Sequence, residues 1–270
     1  MNENKFYVLH KNNLNISLSF DCGQAFRWEK KEDGSIHGVA FGRALTVRED
    51  EDTATFFGTD EKEFNKIWRP YLDLDRDYGA LYEKFASDKY LKQAVEAYPG
   101  IRILRQEPWE TLCSFIISQN NNIPRIKGII SRLCETLGND LGGGDFTFPS
   151  PEKVLEAGAE GLAPLRAGFR VKYILDAAEK VADGEVGFDK ILASDIETGA
   201  EELKKIKGVG DKVAACALLY GFGKVDALPV DTWVKKILAE TYPGGLPACT
   251  EGVRGIAQQY LFHYRRNIDG

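Results

Sequence analysis

The hydrophobic pattern of this chain changes at about residue 60. Before that point, short runs such as SIHGVAFG, RALTVRE and TATFFGT are rich in β-branched and aromatic residues and are separated by glycines, which is typical of antiparallel strands. In LNISLSF, Leu14, Ile16, Leu18 and Phe20 alternate with polar residues, which is the period of a half-buried strand. After residue 60 the apolar residues recur at helical spacing. The sequence therefore predicts an α+β fold, with an N-terminal antiparallel sheet lobe followed by a larger all-α body.

Three segments of the helical part combine apolar periodicity with residues typical of helix ends. In RIKGIISRLCETLG the apolar face stops at Gly138, and Ser150 and Pro151 suit the cap and first turn of the next helix. A third helix, in VKYILDAAEKVADG, ends near Gly184, while GNDLGGGD is predicted to be a flexible loop. We place the sheet domain with its trailing helices at residues 1–95 and the helical domains at residues 96–270.

The composition is that of a folded globular protein, with 43% hydrophobic and 28% charged residues among 270. No apolar run approaches the roughly 18 residues that a membrane-spanning helix needs. The N-terminal MNENKFYVLHKNN lacks the charged and then apolar pattern of a secretory signal. We therefore expect a cytoplasmic protein without a membrane partner.

Cysteine and histidine residues are too scattered to predict a metal centre. No C-x-x-C pair is available as a zinc or iron–sulfur ligand set, and an odd number of separated cysteines fits reduced thiols. The residues concerned are Cys22, Cys113, Cys134, Cys216 and Cys249, together with His10, His37 and His263.

The net charge of −6 counts against a nucleic-acid-binding protein, because phosphate binding normally uses a basic surface. Charge can, however, be concentrated locally. Lys204, Lys205, Lys207 and Lys212 lie close together in the sequence, which would give an acidic protein one basic face. The composition therefore does not exclude a protein that binds nucleic acid.

The segment EELKKIKGVGDKVAACALL predicts two helices joined by a tight turn at Gly208, Val209 and Gly210, within about residues 198–222. Glycine tolerates positive φ and lets the backbone approach a partner closely. The N–H groups at the start of the second helix would then form a phosphate site without sequence preference. An ordinary helical corner could carry the same glycines, but the flanking lysines favour phosphate contact.

Lys212 opens the second of these helices, and Asp231 follows in ALPVDTWVKKIL. Pro229 stiffens the approach to Asp231, and a helix N-cap is by itself a sufficient role for this aspartate. A solvated or phosphate-pairing lysine would likewise be ordinary. An anchored carboxylate near an amine nucleophile is nevertheless what cleavage at a sugar carbon needs.

The pattern G-V-G-D-K followed by P-V-D resembles the motif of the helix-hairpin-helix, Gly/Pro-Asp superfamily of DNA glycosylases. The lysine in this pattern resembles the one found in the bifunctional glycosylase/lyase branch of that superfamily. RQEPWETLCSFIISQNNNIPRIKGI resembles the 8-oxoguanine DNA glycosylases nearly residue for residue. FDCGQAFRW, AGFRVKYI and IAQQYLF match the same family in order and spacing. The resemblance implies an enzyme that excises 8-oxoguanine and nicks the abasic site by β-elimination through a lysine Schiff base.

In this resemblance one group of residues handles the duplex that is left behind when the nucleotide is extruded. Asn120 matches the residue that fills the gap, and Phe169 matches the wedge beside the orphaned base, where the family often has tyrosine. Arg125 and Arg170 match the pair that grips the orphaned cytosine, whose N3 and O2 accept hydrogen bonds. We therefore expect a preference for cytosine opposite the lesion.

A second group matches residues that recognise the lesion. 8-Oxoguanine has an N–H donor at N7 where guanine has an acceptor, so a single backbone carbonyl, that of Gly23, can distinguish them. Gln258 matches the residue that faces the Watson–Crick edge, and Phe262 and Cys216 match the stacking faces. Trp233 departs from the family, whose members commonly carry a histidine near a phosphate there.

In the mechanism that the resemblance implies, Lys212 attacks the sugar C1′ and Asp231 stabilises the oxocarbenium character of the transition state. The Schiff base permits β-elimination without a redox cofactor or a catalytic metal. The cysteine spacing excludes the iron–sulfur branches of the superfamily. A monovalent cation at the hairpin carbonyls is compatible with the superfamily and would be structural.

The expected partner is double-stranded DNA containing 8-oxoguanine, bound by a monomer in the nucleoid of a bacterium or the nucleus of a eukaryote. Two other functions remain open from the residues alone. A monofunctional alkyl-base glycosylase would not need Lys212, and a non-enzymatic hairpin protein would bind DNA without cutting it. Trapping of a covalent intermediate separates the bifunctional enzyme from both.

Overall fold

An antiparallel sheet of five strands, in the order β1-β5-β4-β3-β2, occupies the N-terminal part of the chain. The computed structural model describes residues 5–269. The strands are β1 (Phe6–His10), β2 (Trp28–Lys30), β3 (Ile36–Ala40), β4 (Arg43–Glu49) and β5 (Thr53–Phe57). The three predicted runs are confirmed as β3, β4 and β5. The first strand, β1, pairs antiparallel with the last, β5, which places Phe6 opposite Phe57.

The strand predicted in LNISLSF is wrong, because this segment forms the helix α1 (Ile16–Asp21). The Asn15 side chain caps α1 by accepting from the N–H of Leu18 at 2.9 Å. The carboxylate of Glu49, at the end of β4, accepts from the first two N–H groups of the helix at 3.0 Å each. These acceptors satisfy the donors that a helix leaves open at its start. Since Glu49 lies 33 residues from Ile16, the local alternation could not reveal this contact.

The rest of the chain is almost entirely helical. The helices are α2 (Glu61–Glu63), α3 (Arg69–Tyr71), α4 (Tyr78–Phe85), α5 (Lys89–Ala97), α6 (Pro108–Ser118), α7 (Ile123–Leu137), α8 (Pro151–Gly161), α9 (Val171–Ala182), α10 (Phe188–Ala193), α11 (Ile196–Lys204), α12 (Asp211–Cys216), α13 (Thr232–Glu240) and α14 (Arg254–Asp269). A π-helical turn joins α2 to α3 (Phe64–Trp68), and another extends α12 (Ala217–Gly221). Short 3-10 turns span Ala163–Leu165, Gly168–Arg170 and Ala248–Thr250. Within the described residues no helix is both long and apolar enough to cross a membrane.

The predicted helix ends are confirmed. Gly138 is the C-cap of α7, and the Ser150 hydroxyl caps α8 by accepting from the N–H of Lys153. Gly184, which follows α9 closely, has a φ of +73°. A Cβ on Gly138 would lie 2.1 Å from the carbonyl oxygen of Thr147, so glycine is needed there for close approach. The segment GNDLGGGD is more ordered than predicted, since Asp140–Gly142 and Asp145–Phe146 pair as a small hairpin, β6 and β7.

Two hydrophobic cores lie side by side. The sheet core packs Phe20 against Trp28 with ring centroids 4.0 Å apart, and the Trp28 indole N–H donates to the Tyr71 hydroxyl at 2.7 Å. The helical core already includes Tyr78 and Leu91, from α4 and α5. α4 precedes the predicted boundary at residue 95 and α5 spans it, and both helices pack with the helical body. Four of the cysteines are buried in the cores, and Cys249 is partly exposed.

One buried arginine ties the segments around the sheet core together. Arg102, only 4% exposed, donates to the carbonyl oxygens of Asn12 and Asn13 at 2.9 and 3.1 Å. It also donates to the carbonyl oxygens of Asp73 and Arg76, at 3.3 Å each. Its guanidinium lies 4.1 Å from the centroid of the Tyr78 ring, which belongs to the helical core. Arg102 therefore connects the segments around the sheet core to the helical core.

Candidate active site

The predicted hairpin is formed by α11 and α12. Gly208 has a φ of +82°, and a Cβ there would lie 2.5 Å from ring atoms of Tyr173. Val209 is buried, which anchors the turn in the helical core. Gly210 has a φ of −105°, faces open space and is an N-cap without a side-chain capping bond. The N–H groups at the start of α12 are therefore not covered by a capping side chain, which suits an incoming anion.

Asp176, on α9, holds the hairpin in place through its carboxylate. Its carboxylate accepts from the backbone N–H of Lys207 at 2.7 Å, and the amines of Lys207 and Lys180 lie 2.9 and 3.4 Å away. Burial raises the pKa of Asp176, but the hydrogen bonds from Lys207 and the two positive charges outweigh it, so the pKa lies below its usual value. Sequence reasoning missed this residue, because nothing in its spacing marks it.

The lysines beside the hairpin are matched by carboxylates. Lys204 pairs with Asp211 at 3.1 Å, Lys205 pairs with Glu202 at 3.0 Å, and Lys207 pairs with Asp176. The basic face expected from their clustering is thus largely neutralised within the protein. The predicted contact with a phosphate at this turn would therefore rest on the backbone and the helix start rather than on these side chains.

Lys212 is the second residue of α12 and is half-buried. Its amine donates to the Ser118 hydroxyl at 3.3 Å and lies 5.1 Å from the centroid of the Phe115 ring. Both partners belong to α6, which holds the lysine against the rim of the helical core. The sequence segment that contains Ser118 and Phe115 was noted for its resemblance, but their contact with the lysine was not predicted.

Asp231 is the N-cap of α13, as predicted, and its carboxylate accepts from the N–H of Val234 at 2.8 Å. Cys216 lies near both Asp231 and Lys212. Burial raises the pKa of the Cys216 thiol to about 11, with the Lys212 charge acting to lower it and the Asp231 charge to raise it. The structure thus brings the amine, the carboxylate and the thiol into one neighbourhood.

The residues predicted to recognise the lesion lie where α14 meets the segment after α1. Gly23 has a φ of +83°, and a Cβ there would lie 3.8 Å from the Phe262 ring. Gln258 and Phe262, four residues apart on α14, share one helical face. Among the described residues, the buried Gln258 Oε1 has no hydrogen-bond partner. This buried oxygen is therefore open to a hydrogen bond from the N–H group of a bound ligand.

The predicted gap-filling residues surround the turn between α6 and α7. Asn120 is exposed and has a left-handed φ of +47°. Phe169, which immediately precedes Arg170 in the sequence, is 47% exposed. Arg170 is only 2% exposed and donates to the carbonyl oxygens of Gln119, of Asn120 at 2.9 Å and of Ala167 at 3.1 Å. Burial lowers the pKa of Arg170, and the positive charge of Arg125 lowers it further.

Arg125 differs from Arg170 in its surroundings. It is exposed, and within the described residues its side chain makes one long hydrogen bond, 3.5 Å to the carbonyl oxygen of Arg166. The two arginines predicted to contact cytosine therefore differ in exposure and in hydrogen bonding. Arg125 is free to meet a partner, whereas Arg170 supports the Asn120 turn from within.

No group of three or more His, Cys, Asp or Glu residues that could hold a metal ion occurs in the part of the chain that the structure describes. The monovalent cation was predicted at the carbonyl oxygens of the hairpin. Of these, the Lys205 carbonyl, at the end of α11, accepts the Lys180 amine. The cation itself stays a prediction.

Comparison with known proteins divides the chain between two families. Residues 7–112 match the 8-oxoguanine DNA glycosylase, N-terminal domain, and residues 113–245 match the HhH-GPD superfamily base excision DNA repair protein. The N-glycosylase/DNA lyase of Saccharomyces cerevisiae is 31% identical over 266 residues, which cover 87% of this chain and 70% of that protein.

Two solved structures resemble the whole chain. One is MBOgg1 in complex with a low affinity DNA ligand, with 40% identity, a TM-score of 0.89, and coverage of 98% of this chain and 100% of that one. The other is the Clostridium acetobutylicum 8-oxoguanine glycosylase/lyase in complex with double-stranded DNA containing cytosine opposite 8-oxoguanine. It has 36% identity, a TM-score of 0.89, and coverage of 98% of this chain and 99% of that one.

Proposed function

Because this chain belongs to the 8-oxoguanine DNA glycosylase family of the HhH-GPD base excision DNA repair superfamily, we propose that it excises 8-oxoguanine paired with cytosine and then nicks the abasic site. The observation that carries this proposal is the placement of Lys212 at the start of α12, where its charge and that of Asp231 both act on the Cys216 thiol. An amine at a phosphate-binding hairpin can reach the sugar of the nucleotide whose phosphate is bound.

Binding begins at the backbone of the hairpin. Gly208, Val209 and Gly210 present the start of α12 to a phosphate, without reading the base sequence. Extruding the nucleotide costs a few kcal/mol, which contacts with the opened duplex must offset. Asn120 and Phe169 are exposed at the right turn to fill the gap and to wedge beside the orphaned base. Arg125 meets the orphaned cytosine directly, and Arg170 joins it or supports it from beneath.

The extruded base is read at two edges. The Gly23 carbonyl accepts from the N7–H of 8-oxoguanine and repels the N7 lone pair of guanine. The unpartnered Gln258 Oε1 accepts from an N–H on the Watson–Crick edge. Phe262 and Cys216 pack on the faces of the base. The pocket thus rejects guanine through a reversed hydrogen-bond polarity, which is a stronger discriminator than shape.

The chemistry requires one amine and one carboxylate. The bond from C1′ to N9 of the base breaks as the Lys212 nitrogen, having lost a proton, forms its bond to C1′. The base leaves with the electron pair of the broken bond and takes up a proton. Asp231 stabilises the positive charge that develops on the sugar. Ring opening gives an imine between Lys212 and C1′. The imine acidifies C2′, so that loss of a C2′ proton expels the 3′ phosphate and nicks the strand. The imine is the electron sink, and we propose that neither a redox cofactor nor a catalytic metal takes part.

Replacing the nucleophile tests this function directly. With Lys212→Gln, borohydride should trap no covalent complex with 8-oxoguanine DNA, because an amide cannot form an imine, while the affinity for the duplex should stay within about three-fold. The exposed Lys235, on α13, supplies the control, since Lys235→Gln should trap as well as the parent protein. Trapping that survives Lys212→Gln would disprove the assigned role, and absence of trapping in the parent would favour a monofunctional alkyl-base glycosylase.

The cellular place of this activity follows from its substrate. We propose that the protein works at the chromosome, in a nucleoid or a nucleus according to the cell. Imaging of a tagged chain before and after oxidative treatment would test this, with DNA co-localisation as the expected result.

A further inference from the structure

Two neighbouring glutamines on α14 have opposite hydrogen-bonding states. Gln258 leaves its buried Oε1 without a partner among the described residues. Gln259, only 1% exposed, is saturated: its Oε1 accepts from the Tyr220 hydroxyl at 2.6 Å, and its Nε2 donates to the Cys22 carbonyl at 2.9 Å. A buried amide with both ends paired is structural, and the question is what it holds in place.

The Cys22 carbonyl belongs to the peptide that leads into Gly23. On the other side of Gly23, the buried Gln24 is fixed by its own side chain, which donates to the carbonyl oxygens of Ser19 at 2.8 Å and Arg102 at 2.7 Å. The residues on both sides of Gly23 are thus held by hydrogen bonds from glutamine side chains. Its φ of +83° is accessible to glycine with little strain, so the direction of its carbonyl depends on these anchors.

Tyr220 extends this arrangement to the catalytic helix. It lies on the π-helical turn that continues α12, four residues beyond Cys216 and eight beyond Lys212. Its ring stacks on Phe115 with centroids 5.4 Å apart, and Phe115 is also the ring beneath the Lys212 amine. One buried chain of contacts therefore connects the nucleophile's helix, α14 and the loop that reads the base.

We infer that Gln259 and Tyr220 are positioning residues that set the direction of the Gly23 carbonyl and thereby the recognition of 8-oxoguanine at N7. This inference rests on the proposed function. A hydrogen bond weakens steeply as its angle departs from linearity, so a loosened Cys22–Gly23 peptide would lose the contact with N7–H. Lys212, on a different segment, would keep its place.

The test compares two reactions of the same protein under single-turnover conditions. One substrate is a duplex with 8-oxoguanine opposite cytosine, which needs base recognition. The other is the same duplex with a preformed abasic site, which does not. With Gln259→Leu, release of 8-oxoguanine should fall about ten-fold or more, as loss of a buried hydrogen bond at the reading site implies, while nicking of the abasic duplex changes less than two-fold. Tyr220→Phe should shift the ratio the same way by a smaller factor.

The control is Tyr242→Phe, which removes the hydroxyl of another buried tyrosine. That hydroxyl donates to the carboxylate of Asp88, the N-cap of α5, at 2.6 Å. It should leave the ratio of the two rates unchanged. If Gln259→Leu and Tyr220→Phe lower both rates in parallel, or neither, the inference is overturned. If the parent protein releases no 8-oxoguanine while nicking abasic DNA, the proposed function fails instead.

Discussion

Arg170 lies beneath the Asn120 turn with 2% of its surface exposed, whereas Arg125, five residues after Asn120, faces solvent. Both match arginines that contact the orphaned cytosine in the family. In this structure the guanidinium of Arg170 donates hydrogen bonds to three backbone carbonyl oxygens around it. At the scale of single residues, the same residue type thus serves the fold at one position and is available to a partner at the other.

Arg170→Leu should lower the free energy of unfolding by about 2 kcal/mol, because it leaves the carbonyl oxygens of Gln119, Asn120 and Ala167 without their buried donor. Arg125→Leu should change it by less than about 0.5 kcal/mol, as is usual for an exposed side chain. Arg125→Leu should instead reduce the preference for cytosine over adenine opposite the lesion. Denaturant unfolding and a panel of opposite bases measure the two effects. An unstable Arg125→Leu, or an unaffected Arg170→Leu, would contradict this division.

The places of Lys212 at a helix start and of Asp231 at a helix cap could be predicted from the sequence, because their constraints are local. Lys212 follows a Gly-x-Gly turn, and Asp231 follows a proline and precedes an apolar helix face. The burial of Arg170 and the pairing of Gln259 with Cys22 could not be predicted. Each depends on a contact between segments far apart in the chain, 51 residues in one case and 237 in the other.

Among the elements, the hairpin between α11 and α12 shows two glycines with different needs. Gly208 requires glycine both for its φ of +82° and for the Tyr173 ring 2.5 Å from a Cβ. Gly210 has an ordinary φ and open space. Its lack of a side chain benefits only a partner that approaches the backbone.

Gly208→Ala should therefore lower the free energy of unfolding by about 2–4 kcal/mol, through left-handed strain and the clash with the ring. Gly210→Ala should leave stability within about 0.5 kcal/mol but weaken duplex binding, because its methyl group stands between the N–H groups and a phosphate. Thermal unfolding and DNA titration separate the two. Equal DNA affinity for Gly210→Ala and the parent would argue against a phosphate at this turn.

The carboxylate of Asp176 gives the hairpin an acid-sensitive anchor. Its pKa in the folded protein lies below the unfolded value of about 3.9, so it stabilises the fold at neutral pH. That stabilisation is fully present above the unfolded pKa and is lost as pH falls through the folded pKa, because the unfolded chain takes up the proton first. Thermal midpoints between pH 6 and pH 3 should fall less steeply for Asp176→Asn than for the parent, from a lower starting value. Parallel curves would show that another group carries the acid dependence.

Helix α1 shows why element type is not always readable from spacing. The alternation of Leu14, Ile16, Leu18 and Phe20 predicts a strand, yet Asn15 and Glu49 supply acceptors to the start of a helix. The longer helices that were predicted repeat their apolar spacing over several turns, and α7 also carries a cap residue at each end, Asn122 and Gly138.

At the scale of the whole molecule, the sheet and the helical body meet around Arg102 and the Gly23 loop. The sheet lobe contributes Gly23, the hairpin contributes Lys212, and α14 contributes Gln258 and Phe262. The proposed active site therefore requires that both cores are assembled. A net charge of −6 misleads about partners for a related reason, since it averages over a surface of which the duplex contacts one part.

Arg102→Met should destabilise the protein by about 3 kcal/mol or more, because four carbonyl oxygens lose a buried charged donor. For a chain of this size that corresponds to a fall of roughly 6–12 °C in the midpoint of thermal unfolding. Arg105, which is 45% exposed on its side chain and pairs with Asp73, is the matched control. Arg105→Met should cost less than about 1 kcal/mol. Similar losses for both variants would mean that Arg102 does not join the cores.

The burial of the cysteines has a consequence for the conditions under which such a protein works. Burial raises the pKa of Cys22 and Cys134 to about 12 and that of Cys216 to about 11, so these sulfurs stay protonated at neutral pH. Peroxide reacts with the deprotonated form of sulfur. Peroxide should therefore oxidise the sulfur of Cys216 slowly, so that the thiol nearest Lys212 withstands the oxidants that produce 8-oxoguanine.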